Sequence, residues 1–297
     1  LNARLDTNRV ESNSSGSDFR SISHLKLSEN VWYGNISGSY FSDMGSIQSE
    51  SDQWLANSET ALEVLSAEEL ILEHARMINN KNSCLLNKVA AKFKSCRLDS
   101  SGGFALKIMN SSLLVEESQL HWNNIALELG DGSHANVVQS EFSENDLTIL
   151  TQSSISLSVS FSSVFKSRVG LQIGNYGEVE LLSNRFYEID DYCVELNRPH
   201  LQSLILRQNV ISQTGGIIRS KSNSGNIEIY NNTFSRNLSG LTMLPGTLSR
   251  LDHNIFFNTE PYDKSILRGK TRAKWNCLFP HKLDPILNEI VEDTNLY

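Results

Sequence analysis

The chain has 297 residues, with 26 basic and 34 acidic side chains and a net charge of −8. An apolar content of 39% is enough to bury a core, which excludes wholesale disorder, and there is no run of 18 apolar residues to make a membrane-crossing helix. The acidic balance, without a basic block, argues against nonspecific nucleic-acid binding.

The opening segment LNARLDTNRV has no apolar signal core. It implies either a removed signal or a chain cut from a longer polypeptide. From Ala3 onward one frame recurs: short alternating apolar positions, a polar residue, and an apolar residue two places later. It is plainest in VELLSNRF (Val179 to Phe186), LILRQNVI (Leu204 to Ile211), IEIYNNTF (Ile227 to Phe234) and SRLDHNIF (Ser249 to Phe256). The polar position serves as a mark. In chain order the marks are Asn8, Asn30, Asp52, Ala75, Cys96, Ser118, Ser140, Ser162, Asn184, Asn209, Asn232, Asn254 and Asn276, spaced by 21 to 25 residues and mostly by 22. The residue two places after each is apolar in every case, from Val10 through Trp32 and Trp54 to Leu278.

A helical repeat of that length would place apolar residues at i, i+3 and i+4. These units alternate instead with period 2, and a second alternating run follows most marks, as in Ile125-Leu127-Leu129, Val169-Leu171-Ile173 and Tyr192-Val194-Leu196. Two or three short strands per unit, joined by polar turns, describe one turn of a coil. Stacking then buries what no coil could bury alone. The expected fold is all-β, a single parallel β-helix of about 13 coils over residues 1–280, with 281–297 as a closing segment. Asn or a small residue at each mark fits a ladder of stacked side chains bonding the backbone of successive coils. The simpler alternative is that Asn only favours turns. A leucine-rich repeat is the competing 22-residue architecture, but leucine does not dominate here. The segment SETALEVLSAEELILEHARM (Ser58 to Met77) carries helical propensity, although Leu62, Val64, Leu70 and Leu72 still alternate, so a local helical excursion is the expected irregularity.

These features resemble the right-handed parallel β-helix proteins, the pectate-lyase-like superfold, over roughly residues 1–280. The tail LDPILNEIVEDTNLY resembles the segment that closes bacterial members. A narrower similarity lies in GIIRSKSNSGNIEIYNNTF (Gly216 to Phe234), which is similar to the stretch around the catalytic lysine of alginate lyases and chondroitinase B. That resemblance implies Lys221 as a base and calcium as the cofactor of a lyase. Thr214, Gly215 and Gly216 stand where the family has calcium-binding glutamates, and Leu244-Pro245-Gly246 replaces its Arg-His-Gly. Such a lyase must stabilise a carbanion beside a uronate carboxylate, which a bare lysine does not do. A shared coil pattern without that activity, needing no cofactor, is therefore the leading expectation.

Alternation directs Glu128, Gln172, Glu195, Arg219 and Lys221 outward on the second-run face. Glu195, Arg219 and Lys221 are the candidate acid/base group, and the competing reading is a solvated cross-strand ion pair. On the first-run face Val138, Leu182, Ile205 and Tyr230 point outward, with Arg207 and Arg250 beside them. Leu182, Ile205 and Tyr230, with Gln172 on the other face, are the candidate ligand-binding residues, unless a loop covers the stripe. The carboxylate pairs Asp190-Asp191, Glu116-Glu117 and Glu68-Glu69 read as solvated turns. None of the seven histidines falls in a metal spacing or a convincing Ser-His-Asp order. No metal site is expected.

The cysteines Cys84, Cys96, Cys193 and Cys277 form no CxxC; coil arithmetic separates Cys84 from Cys193 by five turns and predicts four reduced, mostly buried thiols. Two functions remain open. One is a non-catalytic rod, extracellular or on the cell surface, that binds polysaccharide or a protein partner on a flat sheet. The other is a lyase or glycoside hydrolase acting on an acidic polysaccharide near Lys221. Periplasmic and cytoplasmic settings fit the thiols too. With its first frame at Ala3 the chain encodes no N-terminal cap, so upstream sequence or another chain is expected to cover that end.

Overall fold

The computed structural model describes residues 1–197, 201–220, 225–244, 247–259 and 272–279. The chain divides into two compact units, Leu1–Ser156 and Leu157–Tyr297. Among the described residues both are built from strands without helices, and the strands pair in parallel.

The coil frame is regular because the same three-residue strand begins one residue after every mark: Arg9–Glu11, Val31–Tyr33 and Gln53–Leu55 in the first unit, Arg185–Tyr187, Val210–Ser212 and Thr233–Ser235 in the second, and so at each mark between. Its central side chain points inward. Trp32, Trp54, Met77, Phe142, Phe186, Ile211 and Phe234 are all fully buried, so stacked coils fill the interior with a column of large side chains. Trp32 and Trp54 lie parallel, ring centroids 4.8 Å apart, and their indole N–H groups donate to Ser17 and Ser39 at 3.1 and 3.0 Å. Two tryptophans therefore enter the core without an unmet donor.

The rest of each coil forms longer strands. In the first unit these include Ser37–Glu50, Thr60–Glu73 and Asn82–Lys94, which pair side by side. The segment with helical propensity is thus a strand, not a helical excursion. Its alternating Leu62, Val64, Leu70 and Leu72 are buried, and that burial outweighs propensities of a few tenths of a kcal/mol, roughly, per residue.

The expected ladder is present within each unit. In the first, the backbone N–H of Asn8 donates to Asn30 Oδ1 at 3.0 Å and that of Asn30 to Asp52 Oδ1 at 2.7 Å; Cys96 donates to Ser118 Oγ at 3.0 Å. In the second, the chain of bonds runs from Ser162 through Asn184, Asn209, Asn232 and Asn254 to Asn276, each 2.8–3.0 Å. From Asn30 onward the asparagine amides also donate to a carbonyl of the preceding coil, as Asn209 does to Leu181 at 2.8 Å. Every such side chain closes two otherwise buried backbone groups.

A second ladder, which the marks did not predict, stands five residues further on. Asn13, Asn35, Asn57 and Asn80 link in sequence at 2.9–3.1 Å, Ser101 follows to Asn123 and Asn145 at 2.9 Å, and in the second unit Thr214 links to Asn237. Most short strands are therefore flanked by a buried hydrogen-bonding residue at both ends; Ala75 and Ile189 are exceptions. Just before each ladder position the backbone turns through the left-handed region. All thirteen residues preceding a mark have φ between +49° and +60°, and not one of them is glycine. Most of their N–H groups donate to the next coil, for instance Thr7 to Ser28 at 2.9 Å.

Candidate functional site

On the second-run face of the second unit, parallel register sets Gln172, Glu195, Arg219 and Thr242 in one outward row. Arg219 donates through Nε to Glu195 Oε1 at 3.0 Å, and its guanidinium lies over the Tyr192 ring at 4.4 Å. Glu195 is only 8% exposed. The two candidate catalytic groups thus neutralise each other against an aromatic floor. Lys221 lies outside the described residues with 222–224, as do Pro245 and Gly246. In the first unit Glu128, which is 6% exposed, accepts from Lys107 at 2.8 Å and from Gln152 at 2.9 Å. Its row is that of a satisfied ion pair.

The proposed apolar stripe on the first-run face is not continuous. Leu182, Arg207, Tyr230 and Asp252 form one row, while Glu180, Ile205, Glu228 and Arg250 form another. Arg207 therefore separates Leu182 from Tyr230, and Ile205 sits between two glutamates. Alternation sent each side chain outward correctly, but Leu182 and Tyr230 stand two residues before their marks and Ile205 four before its own, so they fall in different rows. Arg250 covers the Tyr230 ring at 4.2 Å, and the buried Asp252 carboxylate binds Arg250 at 2.9 Å and Arg272 at 3.2 Å. That ring face is already occupied by a cation.

Register also assembles a group that the sequence reading passed over. Asp99, His121 and Ser143 follow one another on three neighbouring short strands, three residues past successive marks. Arg97 Nε holds the Asp99 carboxylate, leaving Asp99 Oδ1 unpaired. His121 Nε2 lies 3.2 Å from a Glu141 carboxylate oxygen without hydrogen-bond alignment. No hydrogen bond joins His121 to Asp99 or to Ser143, and Ser143 is 3% exposed, so the order of residue types does not make a relay. Counting three past each mark would have found this column.

All four cysteines are free thiols, and Cys84, Cys96 and Cys193 are buried. Burial pushes the Cys84 and Cys193 thiols well above their ordinary value and Cys96 up to about 12. Protonated thiols so enclosed are poor nucleophiles. Among the described residues no three His, Cys, Asp or Glu side chains gather as a metal site, and no helix is long and apolar enough to cross a membrane.

The family model described as "Right handed beta helix region" matches residues 78–234. Among solved structures, Geobacillus virus E2 ORF18 is similar at 10% identity and a TM-score of 0.39, covering 81% of this chain. The alignment takes in 54% of that protein, so the chain spans about half its length. No curated protein matches.

Proposed function

Because the chain belongs to the right-handed β-helix family, we propose that it is a non-catalytic β-helix that presents a flat sheet face to a polysaccharide, in an extracellular or cell-surface setting. The observation that carries this reading is the Glu195–Arg219 pair. A general acid or base must be free to exchange a proton with substrate. Here the guanidinium is spent on the carboxylate and on Tyr192. Nearly constant coil spacing adds support, since long insertions that wall a cleft have little room within 21 to 25 residues. A protein partner on the same face is the nearest variant of this reading, and no cofactor is needed for either.

The alternative, an acidic-polysaccharide lyase or hydrolase working through Lys221, is favoured by the Ser-Lys-Ser context alone; as a lyase it would call for calcium. The test is incubation of the protein with alginate, pectate and chondroitin, followed in the ultraviolet for unsaturated products, beside a glycan array. Retention on the array without turnover is the expected result. Turnover abolished by Lys221→Ala would overturn the proposal.

A further inference from the structure

Resting on the polysaccharide reading above, we propose that the glycan-binding face is the short-strand sheet of the second unit. It holds one polysaccharide strand by ring faces and hydroxyls, with no charge required on the sugar. The strands Ser163–Phe165, Arg185–Tyr187, Val210–Ser212, Thr233–Ser235 and Ile255–Phe257 pair in register. Their central residues point inward, so the first and third of each face outward in two rows. Arg185 is the only charged side chain in either row. The same two positions in the first unit hold Arg9, Glu11, Arg76, Arg97, Asp99 and Glu141, so the loss of charge belongs to the second unit and not to the coil frame.

What replaces the charges is rings and hydroxyls. Phe165 and Tyr187 stack in parallel with centroids 4.7 Å apart, and Val210, Ile255 and Phe257 are exposed. Between these apolar groups stand Ser212, Thr233 and Ser235, whose hydroxyls form no hydrogen bond with a described residue. One edge of the strip is the file of left-handed corners from Phe161 to Trp275. Those two rings are 62% and 51% exposed at its ends, and Gln208 and Asn231 set amides between them. Pyranose C–H faces can cover the rings, while sugar hydroxyls exchange hydrogen bonds with the amides and hydroxyls. Size selects a slender occupant. Five coils at about 4.8 Å and two side-chain columns make a strip of roughly 24 Å by 10 Å, on the order of 250 Å², where a stable protein interface takes about 800 Å² per partner. Charged groups flank the strip, with Lys166, Glu188 and Arg236 at the opposite corners and Arg207 and Lys274 around the first edge. Salt screens their pull on a ligand, whereas apolar ring contact persists in salt, so ionic strength separates the two modes.

The experiment titrates the full chain by calorimetry or NMR shifts with cellohexaose, xylohexaose, N-acetylated chitohexaose and hexagalacturonate, each at low salt and in about 0.5 M sodium chloride. At least one neutral oligomer should bind, with an affinity that changes less than about two-fold between the two salts. Tyr187→Ser copies Ser212 and Ser235 of the same row, and Trp275→Ser copies Ser183 at a corner of the same φ, +56°. Each, checked for folding by circular dichroism, should weaken that oligomer at least five-fold, while Arg185→Gln should change it less than two-fold. Binding of hexagalacturonate alone, or binding lost in high salt, overturns the ring-face mode. Neutral-oligomer binding that ignores both serine substitutions overturns the strip, places the glycan elsewhere and leaves the wider reading standing. A dimer in sedimentation equilibrium that Tyr187→Ser dissociates gives the strip to a second copy of the chain and overturns the glycan as its occupant. No binding by any of the four up to about 2 mM overturns the strip, and the wider reading falls as well if the glycan array is also blank.

Discussion

At the scale of single residues, the ladder makes chemical identity matter more than size. Asp52 occupies a ladder position where its neighbour is Asn30, and burial raises its carboxyl above the ordinary value even though Ser49 and Asn30 donate to it. The ionised form is thus the less favourable one in the fold. Its contribution is best below the unfolded value near 3.8 and declines as pH rises through the folded value, so at neutral pH the charge is a liability. Asp52→Asn should raise stability at pH 7 by on the order of 1 kcal/mol and flatten the acid limb of the profile, read by urea denaturation at several pH values. Cys96 shows the opposite limb. Its thiol, at about 12 in the fold, is still protonated when the unfolded chain ionises near 9, so stability falls as pH climbs between those values. Cys96→Ser, which copies Ser118 and Ser140, should remove up to about 1.4 kcal/mol per pH unit of that slope while leaving the neutral-pH stability little changed.

At the scale of the element, parallel pairing makes each coil depend on the closeness of the next. A Cβ on Gly38 would stand 2.1 Å from the Ala61 carbonyl oxygen of the neighbouring strand, so Gly38→Ala must push backbone apart and should cost about 1–3 kcal/mol in thermal or chemical denaturation. Asn209→Ala would orphan both the Asn184 N–H and the Leu181 carbonyl, for a loss of about 2–5 kcal/mol on the same measurement. The first ladder was legible in the sequence because asparagine and serine recur at one spacing from a strongly apolar neighbour. The second recurs five residues past the marks, yet it lies beyond the apolar frame that defined them and Ile189 interrupts its polar series, so the frame did not reach it. The strand nature of Thr60–Glu73 was half legible: alternation pointed one way and composition the other, and burial decided. Sites fared worse. Alternation tells only the face; the row comes from the distance to the mark, which is two for Leu182 and Tyr230 and four for Ile205.

At the scale of the molecule, repetition means that stability resides in contacts between adjacent coils. Removing one whole coil, residues 97–118, rejoins Cys96 to Gln119 in the same phase. This variant should keep a β-type circular dichroism spectrum and a cooperative melt with a lowered midpoint, whereas removing 97–107 should abolish the melt because half a coil cannot restore the register. The coil count and the inward column were readable because they recur; the partner was not, because recognition rests on surface side chains that vary from coil to coil.

The left-handed corners carry one further consequence. Ser95, Glu117 and Gln139 sit at φ of +52°, +50° and +49° on consecutive coils; Glu117 and Gln139 are exposed, and the half-buried Ser95 donates its hydroxyl to Glu117 at 3.3 Å. Attachment chemistry at these three places would hang dyes, metals or sugars in file at the interstrand pitch of about 4.8 Å, a ruler finer than most protein scaffolds supply.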